Sequence, residues 1–177
     1  MATYTLISSN VLASSAASVT FSAIPATYTD LVLRASIRGT AASTFAGAYI
    51  SINNDSSAIY SLTRLRGSGA AASSARLSND FPGFDTQGFA WPAANATANT
   101  FGSLELYIPN YANSTNNKCM SINYVSETNA TTAYIYSVAF LYSATTAITS
   151  IQLGGVGGGV LDAATGSSFY LYGISSN

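Results

Sequence analysis

Alternation with a period of two, repeated along nearly the whole chain, limits this sequence to one class of fold. In the run from 30 to 38, Leu31, Leu33, Ala35 and Ile37 fall on one side, and Val32, Arg34, Ser36 and Arg38 on the other. Successive side chains of a β-strand point to opposite faces, so this run reads as a half-buried strand with one core face. Comparable runs lie near 3–7, 17–24, 47–53, 58–65, 103–109, 118–126, 132–142, 147–153 and 167–174. No amphipathic pattern of three helical turns interrupts them. Pro25 stops the pairing of one strand before the next begins, and residues 53–56 and 110–117 carry turn chemistry.

Short strands with turn-forming joins in 177 residues predict a single all-β domain over 1–177, large enough to bury a core without disulfides or a metal. Antiparallel sheets of this size hide their edges by closing, by stacking as two sheets or by pairing with other subunits. The expected architecture is a jelly-roll-like, two-sheet antiparallel β-sandwich. An immunoglobulin-like sandwich, with fewer strands and shorter loops, ranks behind it. Two segments depart from the pattern. Residues 67–100 read as a long irregular insertion, and the Gly-rich stretch at 154–166 reads as a flexible surface loop.

Charge is scarce: six basic and seven acidic residues leave a net charge of −1. Such a chain has no strong field to attract nucleic acid or an anionic membrane, and neither is expected as a partner. The most apolar run, at 133–142, is far shorter than the roughly 20 residues of a spanning helix. The first ten residues lack the basic and apolar regions of a secretory signal. Small hydroxyl and amide side chains take the place of charges, a composition common in proteins of repetitive assemblies.

The absence of histidine removes Ser-His-Asp and Cys-His nucleophilic systems and the commonest metal ligand, so no metal or cofactor is expected. The glycine cluster at 154–159 has neither dinucleotide-binding spacing nor a following Lys. Paired carboxylates remain as a catalytic possibility, with Asp80 and Asp85 flanking a Phe-Pro-Gly-Phe turn and Glu105 alternating with Leu104 and Leu106. Their turn-like or outward setting argues for a protein that is not an enzyme. Cys119 stands alone in a strand-like run and reads as a small packed residue. The four N-x-[ST] triplets, at Asn54, Asn95, Asn113 and Asn129, are ordinary coincidences in a chain this rich in Asn, Ser and Thr.

Aromatic and arginine side chains are the better candidates for function. Phe81, Phe84, Phe89 and Trp91 lie in a Pro- and Gly-punctuated segment where no periodicity directs them inward. They either plug one end of the sandwich or belong to an interface, where Phe, Trp and Arg are enriched. Four of the five arginines come as two same-side pairs, Arg34 with Arg38 and Arg64 with Arg66. Planar guanidinium groups suit interfaces because they make several directed hydrogen bonds while stacking on aromatics. All eight residues are therefore candidate interface residues. Tyr134 with Tyr136, and Tyr170 with Tyr172, line strand faces that could pack a second sheet or stack on sugars.

The stretches TYTLISSNVLASSAASVTFSAIPATYTDLVLRASIRG, YISINNDSSAIYS and SSFYLYGI together resemble small virion structural proteins of tailed bacteriophages, especially phages of cyanobacteria and marine bacteria. The resemblance covers roughly half the chain, at both ends and the early middle. It implies a non-enzymatic β-sandwich on the surface of a capsid, a decoration or cement protein that binds the major capsid protein in many copies, often as a homotrimer. The alternative it implies is a tail-fibre or receptor-binding module that contacts host surface glycans, for which Trp91 fluorescence would be the natural reporter. The chain carries no coiled-coil or collagen-like stalk pattern of the kind that projects a fibre head, which favours the decoration role.

Overall fold

A computed structural model of the chain describes residues 2–80, 90–129, 132–156 and 166–175. Among these residues the regular elements are strands. They are β1 (Thr3–Val11), β2 (Ser18–Phe21), β3 (Asp30–Ile37), β4 (Phe45–Ile52), β5 (Tyr60–Gly67), β6 (Ala72–Asp80), β7 (Ala90–Pro92), β8 (Gly102–Ile108), β9 (Lys118–Ser126), β10 (Tyr134–Tyr142), β11 (Ile151–Gly155) and β12 (Ser168–Ser175). All pairings are antiparallel. An eight-stranded sheet runs β1-β12-β3-β8-β9-β10-β5-β6, and a four-stranded sheet runs β2-β11-β4-β7. The chain is an all-β, two-sheet antiparallel sandwich, with unequal layers.

The alternation read from the sequence is what builds the core. Leu31, Leu33, Ala35 and Ile37 of β3 are buried together with Leu104 and Leu106 of β8, Ile122 of β9 and Phe169 and Leu171 of β12. They meet Ile50 and Ile52 of β4 and Ile151 and Leu153 of β11. Each fully buried side chain of this size stabilises the fold by about 2 kcal/mol relative to exposure.

Polar side chains hold the joins. Asn53 follows β4 at φ 54°, the left-handed region that Asn tolerates. Its Oδ1 accepts from the Thr149 and Ser150 amides at 2.8 and 3.1 Å, and its Nδ2 donates to the Ala147 carbonyl at 2.9 Å, tying the β4–β5 turn to the approach to β11. Lys118 donates through Nζ to the Asn116 and Thr145 carbonyls at 2.6 and 3.0 Å; burial lowers its pKa.

Several expectations are corrected. The segment 67–100 is not irregular throughout, because β6 and β7 lie within it; the irregular stretch that follows is organised around a buried arginine described below. The first strand runs to Val11 rather than 7, with a register shift between Leu6 and Ser8 that places Ile7 against the core. β2 is half the expected length and gives way before Ala23, whose φ is 53°. β11 begins at Ile151 and extends to Gly155, into the start of the expected loop, while residues 157–165 lie outside the described residues. Cys119 is exposed rather than packed.

Candidate interaction face

The four-stranded sheet covers one side of the eight-stranded sheet, and the other side is open. Parity assigns every side chain of the open side, because inward residues of β3, β8, β9, β10 and β12 belong to the core cluster and their neighbours do not. Register then lines these outward residues up across the strands. One row reads Val11, Ser168, Ser36, Ser103, Val125, Ile135 from β1 to β10. The next reads Ser9, Tyr170, Arg34, Glu105, Asn123, Ser137, followed on β5 by Leu65. A third reads Leu6, Tyr172, Val32, Tyr107, Ser121, Ala139.

Tyr4, Leu6, Val11, Leu65, Val125 and Ile135 are the exposed large hydrophobics among the described residues, and all six stand on this one face. β1 shows the reason most plainly. Its apolar Tyr4, Leu6 and Val11 face outward, while Thr3, Thr5, Ser8 and Asn10 occupy the opposite side with Ile7 as the one apolar residue turned to the core. That is the reverse of what a half-buried strand does when its sheet's outer face meets water. The outer side of the small sheet behaves normally. There Tyr49 donates to Gln152 at 3.2 Å, and Gln152 donates to Ser18 and Thr20, each at 3.2 Å, forming a hydrogen-bonded polar ladder across β4, β11 and β2.

At the middle of the open face, Arg34 Nε donates to Glu105 Oε2 at 2.9 Å across the β3–β8 pair. The side chains are 56% and 43% exposed, so the pair itself adds little stability. Tyr4 receives the Arg34 guanidinium 5.8 Å from its ring centroid and meets Tyr172 edge-on at 6.5 Å. Tyr107 donates to Asp30 at 2.8 Å, a bond that raises the phenol pKa. A shallow depression of about 290 Å³ runs along the ion pair, lined by Ser36, Ser103, Ser168 and Tyr170. It is open and flat, unlike the enclosed clefts that hold small molecules.

The candidate residues divide. Arg34 stands on the open face as expected. Arg38 does not share it: β3 ends at Ile37, and the Arg38 side chain, 6% exposed, turns into the segment after β7. There its guanidinium donates to the carbonyls of Ala94, Ala96, Thr97 and Thr100 at 3.0–3.4 Å. Arg64 and Arg66 share a side of β5, but it is the inward side of Tyr60 and Leu62. Arg64 is buried, and the Arg66 guanidinium lies 5.2 Å from the Tyr134 ring centroid. Burial raises the pKa of the neighbouring Tyr136 phenol, and the two guanidinium groups oppose that rise. Trp91 of β7 is fully buried between the sheets, so it offers no surface to a partner. Phe81, Phe84, Phe89 and Asp85 lie outside the described residues.

The apolar residues of the open face were missed by reasoning that looked for arginines and loop aromatics. Part of the signal was present at the start of β1, where Tyr4 and Leu6 alternate with Thr3 and Thr5; the register shift before Ser8, which turns Ile7 inward and Val11 outward, breaks the alternation beyond that point. Among the described residues no group of three His, Cys, Asp or Glu side chains is placed to hold a metal ion, and no helix is long and apolar enough to cross a membrane. No protein-family model, curated protein or solved structure matches this chain.

Proposed function

We propose that this chain is a structural protein of a tailed-phage virion, a capsid decoration protein that works through protein contacts rather than chemistry. The observation that supports this reading is that all six exposed large hydrophobics among the described residues stand on one sheet face, Tyr4, Leu6 and Val11 on β1 and Leu65, Val125 and Ile135 on β5, β9 and β10, with serines and the Arg34–Glu105 pair between the two groups. Exposed apolar side chains gathered on one face mark sites that bind other proteins. The resemblance of the N- and C-terminal stretches to phage virion proteins supplies the setting. A β-sandwich held by the major capsid protein at many equivalent positions would stiffen the contacts between capsomers.

A glycan-binding module of a tail fibre is the second reading, favoured by Tyr4, Tyr170 and Tyr172 around Arg34. Sugar platforms present coplanar rings, whereas Tyr4 and Tyr172 stand at 71° to one another. Trp91, being buried, would not report glycan binding by fluorescence.

The test is the copy number of this chain relative to the major capsid protein, by quantitative mass spectrometry of purified particles. The decoration role predicts a simple fraction of the shell subunits. A number matching the tail moves the chain to the fibres, and absence from particles overturns the virion role.

A further inference from the structure

We infer that the open face of the eight-stranded sheet closes against the same face of a second copy of this chain, about a two-fold axis parallel to the strands between β3 and β8. The three rows carry the argument, because this rotation exchanges β3 with β8, β12 with β9 and β1 with β10 while keeping each row in place.

Charge is self-complementary under that operation. Arg34 comes to lie over Glu105 of the second copy, and Glu105 over its Arg34, so two neutral pairs become a ring of alternating charge. Such networks hold better than isolated surface pairs. Size is self-complementary as well. Tyr170 falls over Asn123 and Tyr172 over Ser121, each a large side chain against a small one. Val11 falls over Ile135 and Leu6 over Ala139, so the apolar outward side of β1 meets the apolar far end of the sheet, with Leu65 at the rim. An isologous interface requires this property, that residue i meets j and j meets i.

The area suffices. Six shared strands at about 4.8 Å spacing and about 7 residues long cover roughly 700 Å² per copy. The total of about 1,400 Å² lies within the range of stable interfaces. Stacked sheets pack about 10 Å apart with their strands within about 30° of one another, a range that includes the parallel alignment of this rotation. The pairing occupies the face on which the proposed function rests, so on a particle the dimer would bind the shell through its remaining surfaces; a chain absent from particles could still form it.

The test uses the purified full chain. Sedimentation equilibrium should give twice the mass of the 18.2 kDa chain. Arg34→Glu should reduce the species to a single chain by placing like charges at every contact of the ring, and the exchanged double variant Arg34→Glu with Glu105→Arg should restore the dimer. Circular dichroism of each variant establishes that the sheet is intact. As a second measurement that does not depend on destabilising anything, Val11→Cys with Ile135→Cys in a Cys119→Ser background should give a covalent dimer with a short bis-maleimide reagent, which spans facing sheets about 10 Å apart where a direct disulfide does not. Within one chain the two positions are five strands, about 24 Å, apart, beyond the reach of the reagent. A single-chain mass for the native sequence, a trimer, or a double-cysteine chain that the reagent leaves unlinked overturns the proposal.

Discussion

Tyr124 of β9 lays its ring across Gly102 of β8 so closely that a Cβ at residue 102 would stand 1.7 Å from the phenol oxygen. Glycine is required there because the tyrosine, fully buried and inward on β9, fills the space a side chain would take. Overpacking of this kind costs about 1–3 kcal/mol. Gly102→Ala should therefore lower the melting temperature by about 4–8 °C at 2 kcal/mol. Adding Tyr124→Phe, which removes the clashing oxygen, should return part of the loss, and the two effects should be non-additive in a double-mutant cycle.

Arg38 should matter for stability and not for surface contacts. Its guanidinium satisfies carbonyls of the 94–100 segment from a position that is 6% exposed. Arg38→Ala removes this donor from the Ala94, Ala96 and Thr100 carbonyls, while the Thr97 carbonyl keeps the Thr100 amide and hydroxyl, and should cost about 3 kcal/mol in urea unfolding, with faster proteolysis between residues 93 and 101. Arg38→Lys should recover only a minor part, because an ammonium cannot reproduce the planar fork.

Alkaline pH should unfold the protein through its buried tyrosines. Burial pushes the Tyr60 phenol from 10.0 up to about 12, and also raises Tyr124, Tyr136 and Tyr142. A pKa raised in the folded state gives stability that is full below pH 10 and is lost as pH climbs through about 12. Phenolate absorbance from the buried rings should appear together with loss of the β-sheet dichroism. Ionisation with the sheet intact would show that these phenols are not held in the core.

The strands were legible wherever alternation coincided with β-branched, leucine or aromatic residues, as in β3, β9 and β10. β6 was not, because Ala72–Asp80 is an edge strand with most side chains exposed and its small residues give no periodicity to read. β7 is three residues long and ends in Pro92, which reads as a loop. Arg38 was misplaced because alternation was carried one residue past the end of the strand. Arg64 and Arg66 were misplaced because their run alternates apolar with polar on both sides, leaving Tyr60 and Leu62 to compete with Leu65 for the inward direction. The interaction face needed the order of strands in the sheet, which joins β1 to β12 and β8 to β3 across long stretches of chain.

Hydroxyl-radical footprinting of the chain in its assembled form, compared with the single-chain Arg34→Glu variant, tests most directly whether the open face is buried by contact. Leu6, Val11, Val125 and Ile135 should be oxidised several-fold more slowly in the assembly, while Tyr49 on the opposite sheet serves as an unchanged internal standard. Equal oxidation of the four residues in both forms would contradict it.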